Sequence, residues 1–286
     1  MDKITCVVLN YNDAETTIKM IEKISSYRVI NYFLIVDNKS TDNSFNILKN
    51  RYENNKKVIV IETNRNGGYG YGNNIGVEYA NKKLKSEFVI ISNPDVFFTE
   101  KTIEALLKII KNTDSAIVSA VQKIKNIPIK DKAWKIPTSL EWTLSETVLF
   151  RKWAIPRYHY NNNYFKKKIV MVDCVPGAMF IVDSQKFLNV NGYDEEMFLF
   201  GEETVLAYKF KQKGYKTLLM TDESYDHLHS VSINKNIRSQ IRQLKILHKS
   251  KLLFYKKYLK CNNFKIIIYK FIFSLIILKK RVKGFR

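Results

Sequence analysis

Three short stretches of this 286-residue chain carry side chains suited to acid–base or metal chemistry. The first is Ser92-Asn93-Pro94-Asp95, directly after the apolar run Phe88-Val89-Ile90-Ile91. A buried strand that ends on a carboxylate offers an acidic oxygen at the lip of a sheet, and Pro94, lacking an N–H, cannot extend the ladder. Open α/β sheets bind ligands beyond the carboxyl ends of their strands, so Asp95 falls where a metal-bound phosphate could sit. The competing reading is an Asx-Pro turn in which Asp95 caps a helix starting near Lys101. The second stretch is Gly201-Glu202-Glu203. Acids at a helix start satisfy the helix dipole, yet a carboxylate there could also take a proton from an attacking hydroxyl. Successive helical residues point about 100° apart, so at most one of the two is expected to face a given site. The third is Asp226-His227-Leu228-His229, where an extended backbone puts both histidines on one face, as a metal site or an ordinary surface would have them. His159 and His248 have no such context.

Rigid elements must position these groups. The N-terminal part alternates strand-like and helix-like runs, the pattern of an α/β fold. Ile4 to Leu9 is a continuous apolar run suited to a strand buried on both faces, and it ends in the loop Asn10-Tyr11-Asn12-Asp13. Ile18, Ile21 and Ile24 recur at helical spacing. A second strand, Tyr32 to Val36, ends at Asp37-Asn38; Ser40 to Asp42 open a helix; Lys57 to Ile61 is a third strand. A glycine-rich segment from Asn64 to Asn74 follows, then a helix from about Ile75 to Leu84. Amides and carboxylates therefore collect at successive strand ends: Asn10 and Asn12, Asp37 and Asn38, Asn93 and Asp95. Such an edge suits a base, a ribose and a diphosphate. The glycines suit close approach of backbone to phosphate. Their spacing is not a dinucleotide fingerprint, and no Walker sequence is present.

Residues 120–168 show no clear period and contain Pro128, Pro137 and Pro156, which predicts an irregular insertion able to lie over a site. Structure is expected to resume over Ile169 to Val182, with a helix from Glu202 to Lys213 ended by Gly214.

A hydrophobic content of 45% and an aromatic content of 13% exclude a disordered chain. Cys6, Cys174 and Cys261 are widely spaced without any C-x-x-C pair, which points to reduced thiols in a cytosolic protein. The N-terminus lacks the layout of a signal peptide. The net charge of +21 is lopsided: 16 of the 48 Lys and Arg residues, and no Asp or Glu, lie from His227 onwards.

Six motifs in register resemble the GT-A glycosyltransferases of family 2, especially the bacterial rhamnosyltransferase-like branch. They read VVLNYND, LIVDNKSTDNS, NGGYGYGNNIG, ISNPDV, VPGAMFIVDSQKFLNVNGYDEEMFLFGEETVLAYKFKQKGYK and HLHSVS, from about Thr5 to Ser232. The resemblance implies a GT-A, Rossmann-like fold with a mostly parallel central sheet flanked by helices. It divides the chain into a nucleotide-binding half (1–119), the insertion (120–168), an acceptor and catalytic half (169–232) and a basic helical tail (233–286). It implies that Asn10, Asn12, Asp37 and Asn38 contact the base and ribose, and that Arg65, Asn66, Gly68 and Asn73 or Asn74 line the nucleotide-sugar. Asn93 and Asp95 match the ends of the family's D-x-D metal motif, with Asn in place of the first Asp. Gly177 belongs to a segment near donor sugar and acceptor, and His227 matches a histidine that completes the metal site. Glu203, beside Glu202, matches the catalytic base. An inverting transfer then follows, with Mg²⁺ or Mn²⁺ neutralising the departing nucleoside diphosphate. The family points to dTDP-rhamnose or a UDP-sugar as donor and a glycan or lipid-linked oligosaccharide of the O-antigen or capsule type as acceptor.

The apolar segment Ile266 to Leu278 is short for a membrane span and flanked by lysines. It suits a helix lying on the inner face of the cytoplasmic membrane, the alternative being a terminal helix packed on the core. A sugar nucleotidyltransferase would need a glycine-rich loop after the first strand, where this chain has Asn10-Tyr11-Asn12-Asp13. An inactive nucleotide-sugar-binding module and a nucleic-acid-binding protein are the other rivals. The tail's charge would serve the latter, but no nucleic-acid motif accompanies it and no nucleic acid is expected as partner.

Overall fold

The first strand, β1 (Lys3–Asn10), is buried from Ile4 to Val8, as a run without polar alternation requires. In the computed structural model, which describes residues 3–227 and 239–282, β1 pairs in parallel with β2 (Tyr32–Asp37) and with β4 (Ser86–Ser92), and β3 (Val58–Glu62) adds a further parallel strand to β2. Helices α1 (Ala14–Ile24), α2 (Ser44–Tyr52) and α3 (Tyr69–Lys82) make the crossovers. The register sets Asn10 beside Asp37 and so brings two of the polar strand ends together.

Helix α3 begins six residues before the expected Ile75 and takes in most of the glycine-rich segment. Glycine is a poor helix former, and close packing outweighs that preference here. A Cβ on Gly72 would run into Leu9, and one on Gly76 would lie 2.5 Å from Val7 Cγ1. These two glycines let α3 lie against β1. The open backbone expected to meet phosphates is confined to the turn at Gly68, where φ is +91°.

After β4 the chain turns through Asn93–Asp95 into the short β5 (Val96–Phe97), and α4 (Glu100–Thr113) follows. Thr99 caps α4 by accepting a hydrogen bond from the Thr102 N–H. Asp95 is therefore not the cap, and the helix-cap reading of Asn93-Pro94-Asp95 fails.

Beyond β4 the sheet becomes mixed. Strand β9 (Met179–Asp183) inserts antiparallel between β4 and β6 (Ile117–Ile124), and β6 runs parallel to β10 (Thr217–His227). Strand β5 and β8 (Ile169–Val172) pair antiparallel with β10, and β7 (Ile127–Pro128) pairs with β6. Residues 120–168 are less irregular than expected. They hold the end of β6, β7, and the short helices α5 (Ser139–Leu144) and α6 (Arg151–Tyr158). Helix α5 starts with a capping box between Thr138 and Glu141.

Two apolar layers sandwich the sheet. Cys6 and Val8 of β1 face α1, α2 and α4; Val7 faces α3, α7 (Ser184–Asn189) and α8 (Glu202–Gln212). A third cluster joins Met197 and Val205 to the tail helices α9 (Gln240–Lys257) and α10 (Asn263–Val282), through Phe254, Tyr255, Ile266, Tyr269 and Phe273. His248 is part of that junction. Its Nε2 lies 2.7 Å from Glu146 Oε2, its ring stacks on Phe273 at 4.0 Å, and Lys251, also buried, pairs with the same glutamate. The tail thus packs on α5 and α8 by one face. No helix among the described residues is long and apolar enough to cross a membrane.

Candidate active site

The strand ends open into one cavity of about 700 Å³. Its walls come from the β1 and β4 ends, the Gly68 turn, the segment before β9, the start of α8, the end of β10 and the start of α9.

At the β1 and β2 ends the polar groups form a connected lattice. Asp37, fully buried, accepts from Asn10 Nδ2 at 2.7 Å, from the Ser40 N–H at 2.8 Å and from the Ser40 hydroxyl at 2.7 Å. Asn12 Oδ1 accepts from the Thr41 N–H at 2.8 Å. Asn38 donates to the Gly68 carbonyl at 3.0 Å and to Asn66 Oδ1 at 3.2 Å, which ties the β2 end to the glycine turn. Asn38, Asn66 and Gly68 line the cavity. Asn10, Asn12, Asp37, Arg65, Asn73 and Asn74 are not among its lining residues. Asn10 and Asp37 brace the wall from behind. Arg65 lies over the Tyr71 ring, 4.6 Å from its centroid. Asn73 donates to the Tyr69 carbonyl, and Asn74 exchanges hydrogen bonds with the Tyr193 backbone.

Asn93, Asp95 and His227 meet at the centre. The Asn93 N–H donates to the Ala178 carbonyl at 2.9 Å, which docks the β4 end on the segment that carries Gly177. Asp95 is 3% exposed, and its Oδ1 lies 3.1 Å from His227 Nε2. Gln122 Nε2 lies 3.1 Å from His227 Nδ1 and fixes the imidazole from its other side. His229 lies outside the described residues. Among those residues no cluster of three or more His, Cys, Asp or Glu could hold a metal ion. The chemistry of the pair at hand still suits one: a carboxylate and an imidazole form a partial ligand set of the kind that substrate phosphate oxygens complete.

Glu202 and Glu203 stand at the start of α8, and both contribute to the cavity wall, against the expectation that only one would. The preceding backbone accounts for this. Phe200 and Gly201 both have positive φ, +68° and +87°, so the chain enters the helix through a left-handed kink that aims its first turn inward. For phenylalanine that conformation is strained, and such strain concentrates at functional sites. Glu203 Oε1 lies 2.6 Å from where a Cβ on Gly177 would be, so only glycine leaves the carboxylate its place. Burial pushes the Glu203 carboxyl up, while backbone N–H groups, Gly177's among them, pull it partly back. Burial and the neighbouring Glu203 charge push Glu202 further up, well above the glutamate range. Its Oε2 is buried without a hydrogen-bond partner. Burial therefore holds both acids back from ionisation, and the unpartnered oxygen leaves Glu202 the less well hydrogen-bonded of the two.

Several lining residues are not legible in the sequence. Tyr69 donates to the Gly177 carbonyl at 2.7 Å, across 108 positions. Gln122, Trp134, Arg242 and Gln243 also line the cavity. Trp134 is held by a bond from its Nε1 to Thr204 Oγ1 on α8 at 3.2 Å. Their local sequences carry no signal; strand pairing and the return of α9 bring them in.

The family model of glycosyl transferase family 2 matches residues 5–186, well over half of the chain. The low-salt glycan biosynthesis hexosyltransferase Agl10 of Haloferax volcanii is 24% identical over 214 residues, 74% of this chain and 63% of that protein. This chain thus spans less than two thirds of that relative. An N-acetylglucosaminyl-diphospho-decaprenol L-rhamnosyltransferase of Mycobacterium tuberculosis is 24% identical over 77% of this chain and 73% of its own. Among solved structures, the mannosyltransferase PcManGT from Pyrobaculum calidifontis, in complex with GDP-Man and Mn²⁺, superposes with a TM-score of 0.60 at 15% identity, over 91% of this chain and 65% of that one. GalNAc-T7 with UDP, GalNAc and Mn²⁺ gives 0.61 at 15% identity, over 79% and 44%. At such identities the likeness is one of fold, the GT-A fold.

Proposed function

This chain belongs to glycosyl transferase family 2, and we propose that it transfers a sugar, with inversion, from a nucleoside-diphosphate sugar to a hydroxyl of a lipid-linked glycan. The donor is dTDP-rhamnose or a UDP-sugar, and the product is a surface polysaccharide such as O-antigen or capsule, built at the inner membrane face. The observation that carries this reading is a single cavity holding the Asp95–His227 pair and, against Gly177, Glu203. The rhamnosyltransferase named above supports the donor and acceptor classes.

In this reading Asn38, Asn66 and Gly68 hold the nucleotide against the β2 end. Asp95, His227 and Asn93 are the residues that would hold Mg²⁺ or Mn²⁺, which would supply charge neutralisation to the departing diphosphate. Glu203 accepts the proton of the acceptor hydroxyl. The freed oxygen pair attacks the anomeric carbon from the face opposite the diphosphate, and the anomeric C–O bond breaks with its electrons going to the nucleoside diphosphate. One carboxylate base without a second nucleophile fits inversion.

Calorimetry with UDP-, dTDP- and GDP-sugars, with and without Mn²⁺, tests the reading. Binding of one class that strengthens with Mn²⁺ and weakens in Asp95→Ala is expected. Failure of every nucleotide-sugar to bind the parent chain would overturn it.

A further inference from the structure

Helix α10 has two apolar faces, and among the described residues only one of them is buried. Ile266, Tyr269 and Phe273 are buried in the cluster shared with α8 and α9, and Tyr269 pairs its hydroxyl with Ser139 at 3.0 Å. The opposite side carries Phe264, Ile267, Ile268, Phe271, Leu275, Leu278 and Val282, between 40% and 81% exposed. At about 100° per residue these seven fall within an arc of about 100° centred on Phe271, directly away from the buried side. On the same projection Lys265 and Lys279 flank the arc on one shoulder and Lys270 and Arg281 on the other; all four are exposed. A solvent-facing helix should show the reverse, with charges at the middle of its outer face.

We infer that α10 lies in the surface of an anionic lipid bilayer, with the Phe264–Val282 stripe buried among the acyl chains and the flanking cations at the headgroups. An apolar centre between two cationic shoulders matches the cross-section of that interface, because long basic side chains bury their stems and keep their heads in water. Charge complementarity selects an anionic surface: no acidic residue occurs anywhere from His227 to Arg286. An equally basic second copy of the chain would set like charges against each other along the whole stripe. The helix is rigidly mounted. Its packed face contacts α5, and Trp142 of α5 lies 2.9 Å from where a Cβ on Gly201 would be, one residue before the two acids. Docking of α10 therefore orients the acceptor side of the cavity relative to the lipid. The inference deepens the lipid-linked-acceptor reading and rests on it for what the surface supplies.

Sedimentation of the full chain with phosphatidylglycerol-containing vesicles, and with pure phosphatidylcholine vesicles, tests it. The parent should pellet with the anionic vesicles, and salt should weaken binding. Phe271→Ser with Leu275→Ser should lower partitioning at least about tenfold, as two lost apolar anchors imply. Lys265→Gln with Lys279→Gln should weaken binding to anionic vesicles by a similar factor at low salt and erase most of the salt dependence. A thermal melt checks that each variant is folded. A parent that ignores both vesicle types, or that sediments as a dimer dissolved by the same serine substitutions, overturns the inference. Absent vesicle binding with intact nucleotide-sugar binding would defeat this surface and leave the transfer reading standing. Intact vesicle binding with no nucleotide-sugar affinity would do the opposite.

Discussion

Acids stand behind the cavity wall and within it, and the two sets are held in opposite ways. Asp37, behind the wall at the β2 end, accepts three short hydrogen bonds from Asn10 and Ser40. Glu202, in the wall at the start of α8, keeps an oxygen without any partner, and Glu203 packs against Gly177. A carboxylate with all its donors in place is a fixture that shapes a wall. A carboxyl short of donors in a buried place resists ionisation and is available to a proton. The contrast fits the proposed division into scaffold on one side and chemistry on the other, and it can be broken experimentally.

The sharpest break is Glu203→Gln, which keeps the shape and removes the base. Single-turnover transfer should fall by about 10²–10⁴-fold, the usual worth of a positioned base, with donor affinity unchanged in calorimetry. In the parent chain, Glu203 must be ionised to act and its pKa is raised. Activity should therefore decline, as pH falls, at values above the ordinary glutamate pKa of about 4.3. Asp37→Ala should act on the fold first. It leaves the Asn10 and Ser40 donors without their acceptor, at a cost of about 3 kcal/mol in a denaturant melt. If it instead stopped transfer without loss of stability, the scaffold role would be wrong.

Gly177→Ala comes next. The new methyl occupies the place of Glu203 Oε1 and should cost roughly tenfold in turnover, as a small displacement of a reacting group does. The melting temperature should hardly change. Glu202→Gln should have the smallest kinetic effect, within a few-fold, because in the proposed reaction the proton goes to Glu203 and the amide keeps the shape of the wall. Its signature is in stability. A carboxyl whose folded pKa lies above its unfolded one stabilises fully below the unfolded value and loses that contribution as pH rises towards the folded value. The glutamine variant should therefore gain on the parent by up to about 1.4 kcal/mol per pH unit above the unfolded glutamate pKa. A gain that is flat with pH would show that Glu202 is not held neutral.

Much of this arrangement could be read from the chain. The apolar runs at Ile4, Phe33 and Phe88 are buried strands, and the amides and acids that follow them lie at one edge because parallel strands with helical crossovers leave their carboxyl ends on the same side. What escaped was decided by distant contacts. Gly72 looks like a loop residue by propensity, yet it lies within α3, where Leu9 leaves no room for a side chain. The antiparallel insertion of β9 sets Gly177 beside Asn93 and against Glu203, and no local pattern specifies that neighbour. Gln122 meets His227 only because β6 and β10 pair in parallel. Helix α5 was legible after all: Thr138 and Glu141 have the spacing of a capping box. His248, unremarkable in sequence, becomes the partner of Glu146 once α9 folds back on α5.

Thr99 has a consequence of its own for Asp95. Because the threonine terminates α4 and the turn at Asn93–Val96 is closed by backbone atoms, the carboxylate of Asp95 owes nothing to local chain geometry. Evolution could therefore vary the acidic motif without refolding the neighbourhood. In the proposed metal site, the amide at Asn93 would edit the ligand set while the hinge between strand and helix keeps its own independent lock.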